Sequence, residues 1–279
     1  MAKANKQIQE NIKLVDIVIE LRDARAPEAS FNPYFDNILN NKPRLVVLNK
    51  QDLADPVLNE YWLNKYDSSN TILVDSNHDN LQKVVVNKVK EILKDKIEKA
   101  KAKGIRKKVL KAMVIGIPNV GKSTFINNIV NKKIAKAENR PGVTKSLSWI
   151  NINEDLMLLD TPGVLWPKFD NQYQAKILAL LGSINDDILD KKELAIFGLE
   201  ILYKHYPNLL KQRYSISDDI DLLKQVALNK NCLKKDNEID ELKASELVLN
   251  DIRNNKIGRI TYEQNVAWKY IWKNSLERE

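Results

Sequence analysis

The sequence has 279 residues, 43% hydrophobic and 29% charged, which is long enough for one or two domains with an ordinary core. No apolar run approaches the roughly 20 residues of a membrane-crossing helix, and the polar N-terminal stretch does not resemble a signal peptide, so we expect a cytoplasmic protein without a membrane partner. A single cysteine, Cys232, excludes an internal disulfide, and the absence of a Cys/His cluster argues against a structural zinc site.

The formal net charge of +8 is concentrated in residues 82–111, which contain 12 Lys or Arg against 3 Asp or Glu. Lysine runs of this kind commonly form the solvated face of a helix, but they also bind the phosphate backbone of nucleic acids. Residues 171–279 balance 17 Lys or Arg with 17 Asp or Glu. Composition therefore does not nominate the C-terminal part of the chain as a nucleic-acid reader.

Short β-branched runs in the first third of the chain end in polar loops, as buried parallel strands do. They lie at residues 14–21, 44–50 and, more weakly, 71–76. Residues 81–104 have helical character but lose their apolar face towards Gly104, where we expect the helix to end. The pattern then predicts strands at 111–117, 146–152 and 156–160 and a helix at 121–131.

Strands that alternate with helices predict an α/β fold with a mainly parallel, doubly wound sheet up to about residue 170. Beyond that point only helical patterns remain, which predicts a small all-helical domain and a division into 1–170 and 171–279. Asp190, three residues before Glu193, resembles a capping pair that opens a helix, and Pro207 should close it. The other expected helices lie at 173–184, 218–229, 238–253 and 262–275.

The tetrad Asn-Lys-Gln-Asp at residues 49–52 follows the second strand and is typical of the base-reading loop of GTP-binding proteins. The Asp52 carboxylate can accept both the N1 and the N2 protons of guanine, a two-point contact that adenine does not offer. Asn49 can brace the pocket, and Lys50 can lie over the ring. The third strand ends in a weaker candidate for the base pocket, formed by Ser76 and Asn77.

Residues 116–123, GIPNVGKS, fit a phosphate-binding loop between an apolar strand and a helix. Glycines let backbone amides turn towards the phosphates, Lys122 can reach the β and γ phosphates, and Ser123 can ligate Mg²⁺. The alternatives are a glycine-rich strand-to-helix turn without a ligand, and an enzyme that uses an adenine nucleotide. The residues predicted to contact the nucleotide here are Pro118, Asn119, Val120, Gly121, Lys122, Ser123 and Thr124.

The segment Asp160-Thr-Pro-Gly163 ends the last predicted strand. Asp160 can hold the hydration shell of Mg²⁺, and the Gly163 amide can sense a γ-phosphate. Thr144, between the two motifs, is our candidate for a second magnesium-ligating hydroxyl on a switch loop, although loop threonines are usually ordinary. Lys122, Thr144 and Gly163 are thus the predicted catalytic residues.

The base tetrad precedes the phosphate loop, whereas ordinary GTPases place it later in the chain. A parallel sheet fixes its strand ends in space, so the loops can occupy the same positions whichever strand comes first. The order therefore predicts a circularly permuted P-loop GTPase domain, a rearrangement that is tolerated when termini and loops lie at the surface.

The order of these motifs, with "DARAP" at residues 23–27 and "DTPGVLWPKF" at 160–169, resembles the bacterial ribosome biogenesis GTPase A family, the YlqF-like circularly permuted GTPases. The likeness extends over nearly the whole chain, through "AIFGLEILYKHYP" and "VLNDIRNNKIGRI". It implies GTP and GDP as ligands, Mg²⁺ as cofactor, a helical C-terminal domain that contacts ribosomal RNA, and a role in late assembly of the large ribosomal subunit. We expect a monomer.

The sequence departs from many GTPases at one position that bears on catalysis, and from the family in one stretch. Val164 follows Gly163 where many GTPases have a glutamine that orients water, so we expect turnover that is slow alone and stimulated by the ribosome. An aromatic-Pro-Gly-His stretch associated with this task in the family is not in the sequence, which keeps open a GTP-dependent RNA-binding factor that does not hydrolyse GTP. Asn119 resembles the asparagine with which related GTPases hold K⁺, although asparagine is also tolerated in turns.

Overall fold

A computed structural model gives the fold of residues 8–39, 41–76, 80–130, 149–159, 172–184, 190–218 and 220–264. The chain divides into two compact units. The first comprises Met1–Asp52 and Pro56–Lys168, and the second comprises Leu53–Asp55 and Phe169–Glu279. No sequence pattern predicts that the short segment after the base tetrad belongs with the second unit. The functional boundary at residues 170 and 171 stays a proposal.

The first unit is built on a six-stranded sheet with the strand order β3-β2-β1-β4-β6-β5. Among the described strands, β5 runs antiparallel to β6, and every other neighbouring pair is parallel. The prediction of a mainly parallel sheet is therefore confirmed. The strands are β1 Ile17–Asp23, β2 Arg44–Asn49, β3 Thr71–Val74, β4 Leu110–Gly116, β5 Trp149–Asn151 and β6 Leu156–Leu159.

The central strands β1, β2 and β4 are buried on both faces, which explains their nearly continuous apolar sequences. Strand β1 nevertheless contains charged side chains, and these pair with charged groups of the strand itself or of neighbouring segments. Arg22 Nε donates to Glu20 Oε1 at 2.8 Å, and Arg44 Nη1 donates to Glu20 Oε2 at 3.0 Å. Pairing of this kind is required because an isolated charge is costly to bury.

The predicted helix over residues 81–104 is two helices that meet at Leu93. The first buries a stripe that includes Leu81, Val85 and Val89, whereas Ala100 is the buried residue of the second. The apolar stripe ends at the junction, so the second helix has little face to pack against the sheet. The described helices of this unit are α1 Tyr34–Leu39, α2 Pro56–Lys65, α3 Leu81–Ile92, α4 Lys94–Ala102 and α5 Lys122–Ile129.

The second unit is helical where the structure describes it. Asp190 caps its longest described helix by accepting the amide protons of Lys192 at 2.7 Å and Glu193 at 3.0 Å, which confirms the predicted start. Pro207 follows the end of that helix and also opens the next one, because proline at a first turn lacks only an amide proton that has no helical partner. The helices are α6 Gln172–Leu180, α7 Lys191–His205, α8 Pro207–Tyr214, α9 Leu222–Asn229 and α10 Glu241–Arg253.

The helices of the second unit approach closely at Gly198. A Cβ atom at this position would lie 2.9 Å from Ile252 Cδ1 and 3.0 Å from Leu180 Cδ2, so a larger residue would have to displace the ends of these two side chains. The helices predicted at 218–229 and 238–253 begin a few residues later than expected, and the predicted helix at 262–275 lies mostly outside the described residues. Within the described part of the chain, no helix has both the length and the apolar character needed to cross a membrane.

Candidate nucleotide-binding site

The base tetrad and the phosphate loop both begin at the carboxyl edge of the sheet. Asp23 at the end of β1 is in register with Asn49 at the end of β2, and Leu21 is in register with Gly116 at the end of β4. Because β1 lies between β2 and β4, the loops that leave these two strands emerge two strands apart on the same edge. Ligands of parallel α/β sheets bind at this edge.

Glycines allow the phosphate loop to pass close to its neighbours. A Cβ atom on Gly116 would lie 2.9 Å from the carbonyl oxygen of Leu21, and one on Gly121 would lie 2.5 Å from Asn49 Nδ2. Gly121 also has a φ of +94°, in the left-handed region, and helix α5 begins at the next residue. The loop therefore turns sharply into a helix N-terminus, the arrangement that suits bound phosphate.

Asn49 joins the base loop to the phosphate loop. Its Nδ2 donates to the carbonyl oxygen of Val120 at 2.9 Å, and its Oδ1 accepts from Ser76 Oγ at 2.6 Å. Asn128 on α5 donates in turn to the carbonyl oxygen of Ser76 at 2.7 Å. Asn49 and Ser76 are 1% and 4% exposed, so these bonds are shielded from water. Asn49 thus bonds to the phosphate loop and to Ser76 at once, and its predicted part in the base pocket stays a prediction.

Lys50 adds a second connection between the two loops. Its backbone has a φ of +63°, and its Nζ donates to the carbonyl oxygen of Asn119 at 2.7 Å and to Asp23 Oδ2 at 3.0 Å. Asn119 itself has a φ of +58°, a conformation that asparagine tolerates better than most residues. The residue type suits this backbone geometry at Asn119, whereas lysine adopts it rarely, and the two bonds of the Lys50 ammonium group accompany that conformation.

The side chains predicted to face the nucleotide directly are accessible. Asp52 is exposed after β2, Ser123 and Thr124 are exposed in the first turn of α5, and Lys122 is partly buried. An exposed carboxylate thus lies beside one loop and exposed hydroxyls lie beside the other. Four predicted site residues lie outside the described residues, namely Asn77, Thr144, Asp160 and Gly163.

The sequence pattern did not identify Asp23 as part of this site. Asp23 is 1% exposed and accepts from Arg25 Nε at 2.9 Å, from Arg25 Nη2 at 2.8 Å and from Lys50. Burial alone would raise the pKa of Asp23, but the charges and hydrogen bonds of Arg25 and Lys50 outweigh it and hold the pKa well below its usual range. The available signal was the polar "DAR" triplet directly after a buried strand.

Neither arginine near this motif has the exposure of a catalytic finger. Arg22 and Arg25 are 6% and 4% exposed, and both form the ion pairs described above. The Arg22 guanidinium also lies 4.4 Å from the centre of the Phe31 ring. These contacts support a structural pairing role for both arginines.

The family model and the curated relatives that match this chain are named as GTPases of the ribosome or of its assembly. A family model described as "50S ribosome-binding GTPase" matches residues 111–251. The chain is 44% identical over 270 residues to Ribosome biogenesis GTPase A of Priestia megaterium, with 94% of both chains covered. It is 34% identical over 240 residues to Mitochondrial ribosome-associated GTPase 1 of Mus musculus, covering 82% of this chain and 73% of that protein.

Solved structures of YlqF have the same fold. A GDP-bound structure aligns with a TM-score of 0.68 over 92% of this chain and 98% of its own. GNP-bound YlqF from T. maritima aligns with a TM-score of 0.66 over 94% of this chain and 98% of its own. Both are 24% identical in sequence, so the likeness concerns the fold.

Proposed function

We propose, for a chain that belongs to the ribosome biogenesis GTPase A family, that GTP binding and hydrolysis at the carboxyl edge of the sheet control its docking on ribosomal RNA of the large subunit. Family membership makes it a GTP-hydrolysing enzyme of ribosome assembly, with a circularly permuted P-loop GTPase domain followed by a helical region. The non-hydrolysing alternative is not favoured. We also propose that it acts as a monomer in the cytoplasm, where bacterial ribosomes are assembled.

The observation that carries the nucleotide proposal is the pair of bonds that joins the two loops. Asn49 and Lys50 of the base loop each donate to a carbonyl oxygen of the phosphate loop, at 2.9 and 2.7 Å. We propose that one guanine nucleotide spans this junction, with Asp52 reading the base and Lys122 holding the phosphates. Loops that are already bonded to each other need less ordering when a ligand binds to them.

The expected magnesium site is partly described. The Ser123 hydroxyl is an exposed oxygen donor in the first turn of α5, and oxygen ligands are those that Mg²⁺ prefers. We propose that Ser123, Thr144 and Asp160 hold the ion, and that the Gly163 amide senses the γ-phosphate. When bound, Mg²⁺ neutralises charge that develops on the phosphates. Asn119 remains our proposed K⁺ ligand, supported by its resemblance to the asparagine of related GTPases.

For the RNA contact, the structure divides the basic residues of 82–111 into two groups. Lys88, Lys90, Lys96 and Lys107 form ion pairs with carboxylates of the first unit. In the part of the chain that the structure describes, no carboxylate pairs with Lys94, Lys99, Lys101 or Lys103, which lie exposed on or directly after α4. We propose that this second group contacts RNA phosphates, because cations without an internal partner lose least on binding.

The amino edge of the sheet extends this basic surface. A cavity of about 340 Å³ is lined by Lys13, Lys42 and Lys96 together with Asp16. Burial, followed by repulsion from Lys96, lowers the pKa of Lys42, whose Nζ donates to the carbonyl oxygen of Val15 at 2.9 Å. A phosphate group in this cavity would relieve that repulsion. We therefore propose the cavity as part of the same RNA-contacting surface.

The hydrolysis proposal is tested with the purified chain, GTP and isolated large-subunit particles. We expect slow GTP turnover alone, faster turnover with the particles, and faster turnover in potassium than in sodium buffer. Lys122→Ala serves as the inactive control, because it removes the expected phosphate contact. The proposal is wrong if the wild-type chain hydrolyses GTP no faster than Lys122→Ala in any of these conditions.

The RNA proposal is tested by comparing two sets of substitutions. Replacement of Lys94, Lys99, Lys101 and Lys103 by glutamine should weaken binding to large-subunit particles. It should also reduce the slope of log affinity against log salt concentration by about three to four. The matched control replaces four ion-paired lysines that do not line the cavity at the amino edge of the sheet, Lys88, Lys90, Lys107 and Lys108. Equal losses from the two sets would contradict the division proposed here.

A further inference from the structure

The "DARAP" motif at residues 23–27 has no role in the function described so far. Asp23 is its first residue and the last residue of β1, where the amide of Ala24 donates to the carbonyl oxygen of Asn49 at 2.8 Å. The motif therefore begins beside the base loop, on the strand that separates β2 from β4. Its position raises the question of what a buried carboxylate does next to a nucleotide site.

The Asp23 carboxylate is held rigidly by its own motif. Arg25 forms a bidentate pair with this carboxylate, in which Nε lies 2.9 Å from Oδ1 and Nη2 lies 2.8 Å from Oδ2. The Arg25 amide also donates to Oδ1 at 3.0 Å. The Asp23 amide donates to Ser30 Oγ at 2.9 Å, and Ser30 Oγ donates to the carbonyl oxygen of Ala26 at 2.6 Å. Forked pairs of this kind fix direction as well as distance.

The same carboxylate reaches into the base loop. Asp23 Oδ2 accepts from Lys50 Nζ at 3.0 Å, and this ammonium group also donates to the carbonyl oxygen of Asn119 in the phosphate loop at 2.7 Å. The Lys50 side chain is 22% exposed, whereas that of Asp23 is 2% exposed. Lys50 thus spans from a buried anchor to the accessible junction of the two loops, and it loses its only carboxylate partner among the described residues if Asp23 is neutralised.

We propose that Asp23 is a positioning residue for the guanine nucleotide, which acts by anchoring the Lys50 ammonium group where base loop and phosphate loop meet. Arg25 keeps the carboxylate oriented, and Asp23 itself does not touch the nucleotide. This inference rests on the function proposed for the same site. The "DAR" triplet of the motif then contributes to nucleotide affinity as well as to folding. A lysine side chain that Asp23 already holds in place loses less rotamer freedom when the nucleotide binds, so binding is tighter.

A double-mutant cycle with a fluorescent GDP analogue tests this proposal. We expect Asp23→Asn and Lys50→Met each to weaken GDP binding by about 30-fold, mostly through faster dissociation. The double variant should bind no more than about threefold more weakly than either single variant, because both changes remove the same contact. Single effects that multiply, or an Asp23→Asn variant that binds like the wild type, would overturn the proposal.

The control for a merely structural role is Asp251→Asn, which alters an equally buried, arginine-paired aspartate of the second unit. It should lower the melting temperature and leave GDP affinity within about twofold of wild type. If Asp23→Asn does not fold, the cycle is run with Asp23→Glu, which keeps the charge that Arg25 requires and displaces the carboxylate by one methylene. Asp23→Glu should weaken GDP binding in the wild-type background and have little effect in the Lys50→Met background. An Asp23→Glu variant that binds GDP like the wild type, or one that still weakens binding when Lys50 is methionine, contradicts the proposal.

Failure of this inference and failure of the proposed function give different results. If the wild-type chain does not bind GDP more tightly than ADP, the proposed guanine-nucleotide site is wrong. If the wild type binds GDP selectively but the cycle is additive, only the positioning role of Asp23 is wrong.

Discussion

Two buried aspartates, one in each unit, both pair with an arginine but differ in their other contacts. Asp23 in the first unit and Asp251 in the second are each 1% exposed. Each accepts from an arginine, with Arg25 Nη2 and Arg213 Nη2 both at 2.8 Å. Burial of either carboxylate would be costly without these partners.

The difference lies in the remaining partners of each carboxylate. Asp251 on α10 also accepts from the Tyr214 hydroxyl at 3.1 Å, so it joins α10 to the end of α8 within a packed helical unit. Burial, followed by the charge of Asp251, raises the pKa of Tyr214. Asp23 instead holds Lys50, whose ammonium group continues to the phosphate loop. A buried ion pair is therefore informative about function when one partner also bonds to a loop of the candidate site.

The largest effect on stability should come from the helical cluster. Asp251→Ala leaves Arg213 and the buried Tyr214 hydroxyl without their carboxylate, and we expect a loss of about 3–5 kcal/mol in the free energy of unfolding of the second unit. Urea denaturation followed by circular dichroism measures it. Asp236→Ala, an exposed aspartate of the same unit, should cost less than about 0.5 kcal/mol. A similar cost for both would contradict the role given to the cluster.

A smaller effect is expected from Gly121→Ala in the phosphate loop. The new Cβ would lie 2.5 Å from Asn49 Nδ2, in a backbone conformation that alanine adopts poorly. We expect about 30-fold weaker GDP binding, equivalent to about 2 kcal/mol, because Asn49 must move away from Val120. Gly104→Ala is the matched control, since Gly104 has a φ of +81° but nothing within 4 Å of its Cβ position. Equal losses of affinity would show that the contact with Asn49 is unimportant.

The smallest effect concerns the acid dependence of the Asp23 cluster. The pKa of Asp23 is lowered on folding, so its ionised form stabilises the protein above the unfolded-state value of about 3.9, and this stability is lost as the pH falls through the folded-state pKa. The stability difference between wild type and Asp23→Asn should be constant from pH 7 to about 5. Below pH 4 it should shrink by about 1.4 kcal/mol per pH unit. A difference that does not change with pH down to 3 would contradict this account.

The sheet was predictable because its signal is local. Strands β1, β2 and β4 are buried on both faces, so their apolar runs are continuous and their ends are marked by the polar loops that carry the motifs. The capped start of α7 was predictable for the same reason, since Asp190 bonds to amides two and three residues away.

Helix α2 was not predictable from its pattern. Leu58 and Trp62 are buried four residues apart, but Val57 beside them is 76% exposed, so the apolar residues do not outline one face. The position of Leu53–Asp55 in the second unit was also beyond the sequence. It depends on distant partners, such as the Tyr206 hydroxyl that donates to Asp55 Oδ2 at 3.2 Å across 151 residues.

In the candidate site, too, the residues with a local sequence signal were predicted, and a residue that depends on a distant partner was not. Asn49, Lys50 and the phosphate loop were predicted because the motifs place them at strand ends. Asp23 was missed because its role arises from contact with Lys50, 27 residues away, and a lone polar residue after a strand is common. Sequence motifs find the residues within the two loops, including the bracing Asn49, whereas a positioning group outside the motifs, such as Asp23, is found from its contacts.

The most direct test of the account measures which base the site reads. Binding of GDP, ADP and xanthosine diphosphate is compared for the wild type and for Asp52→Asn, which replaces a two-point acceptor by an amide. We expect the wild type to prefer GDP by at least about 100-fold, and the variant to prefer xanthosine diphosphate, since the amide can donate to the 2-oxo group of xanthine. An unchanged preference for GDP in Asp52→Asn, or equal binding of ADP and GDP by the wild type, would contradict the guanine-reading role of the base loop.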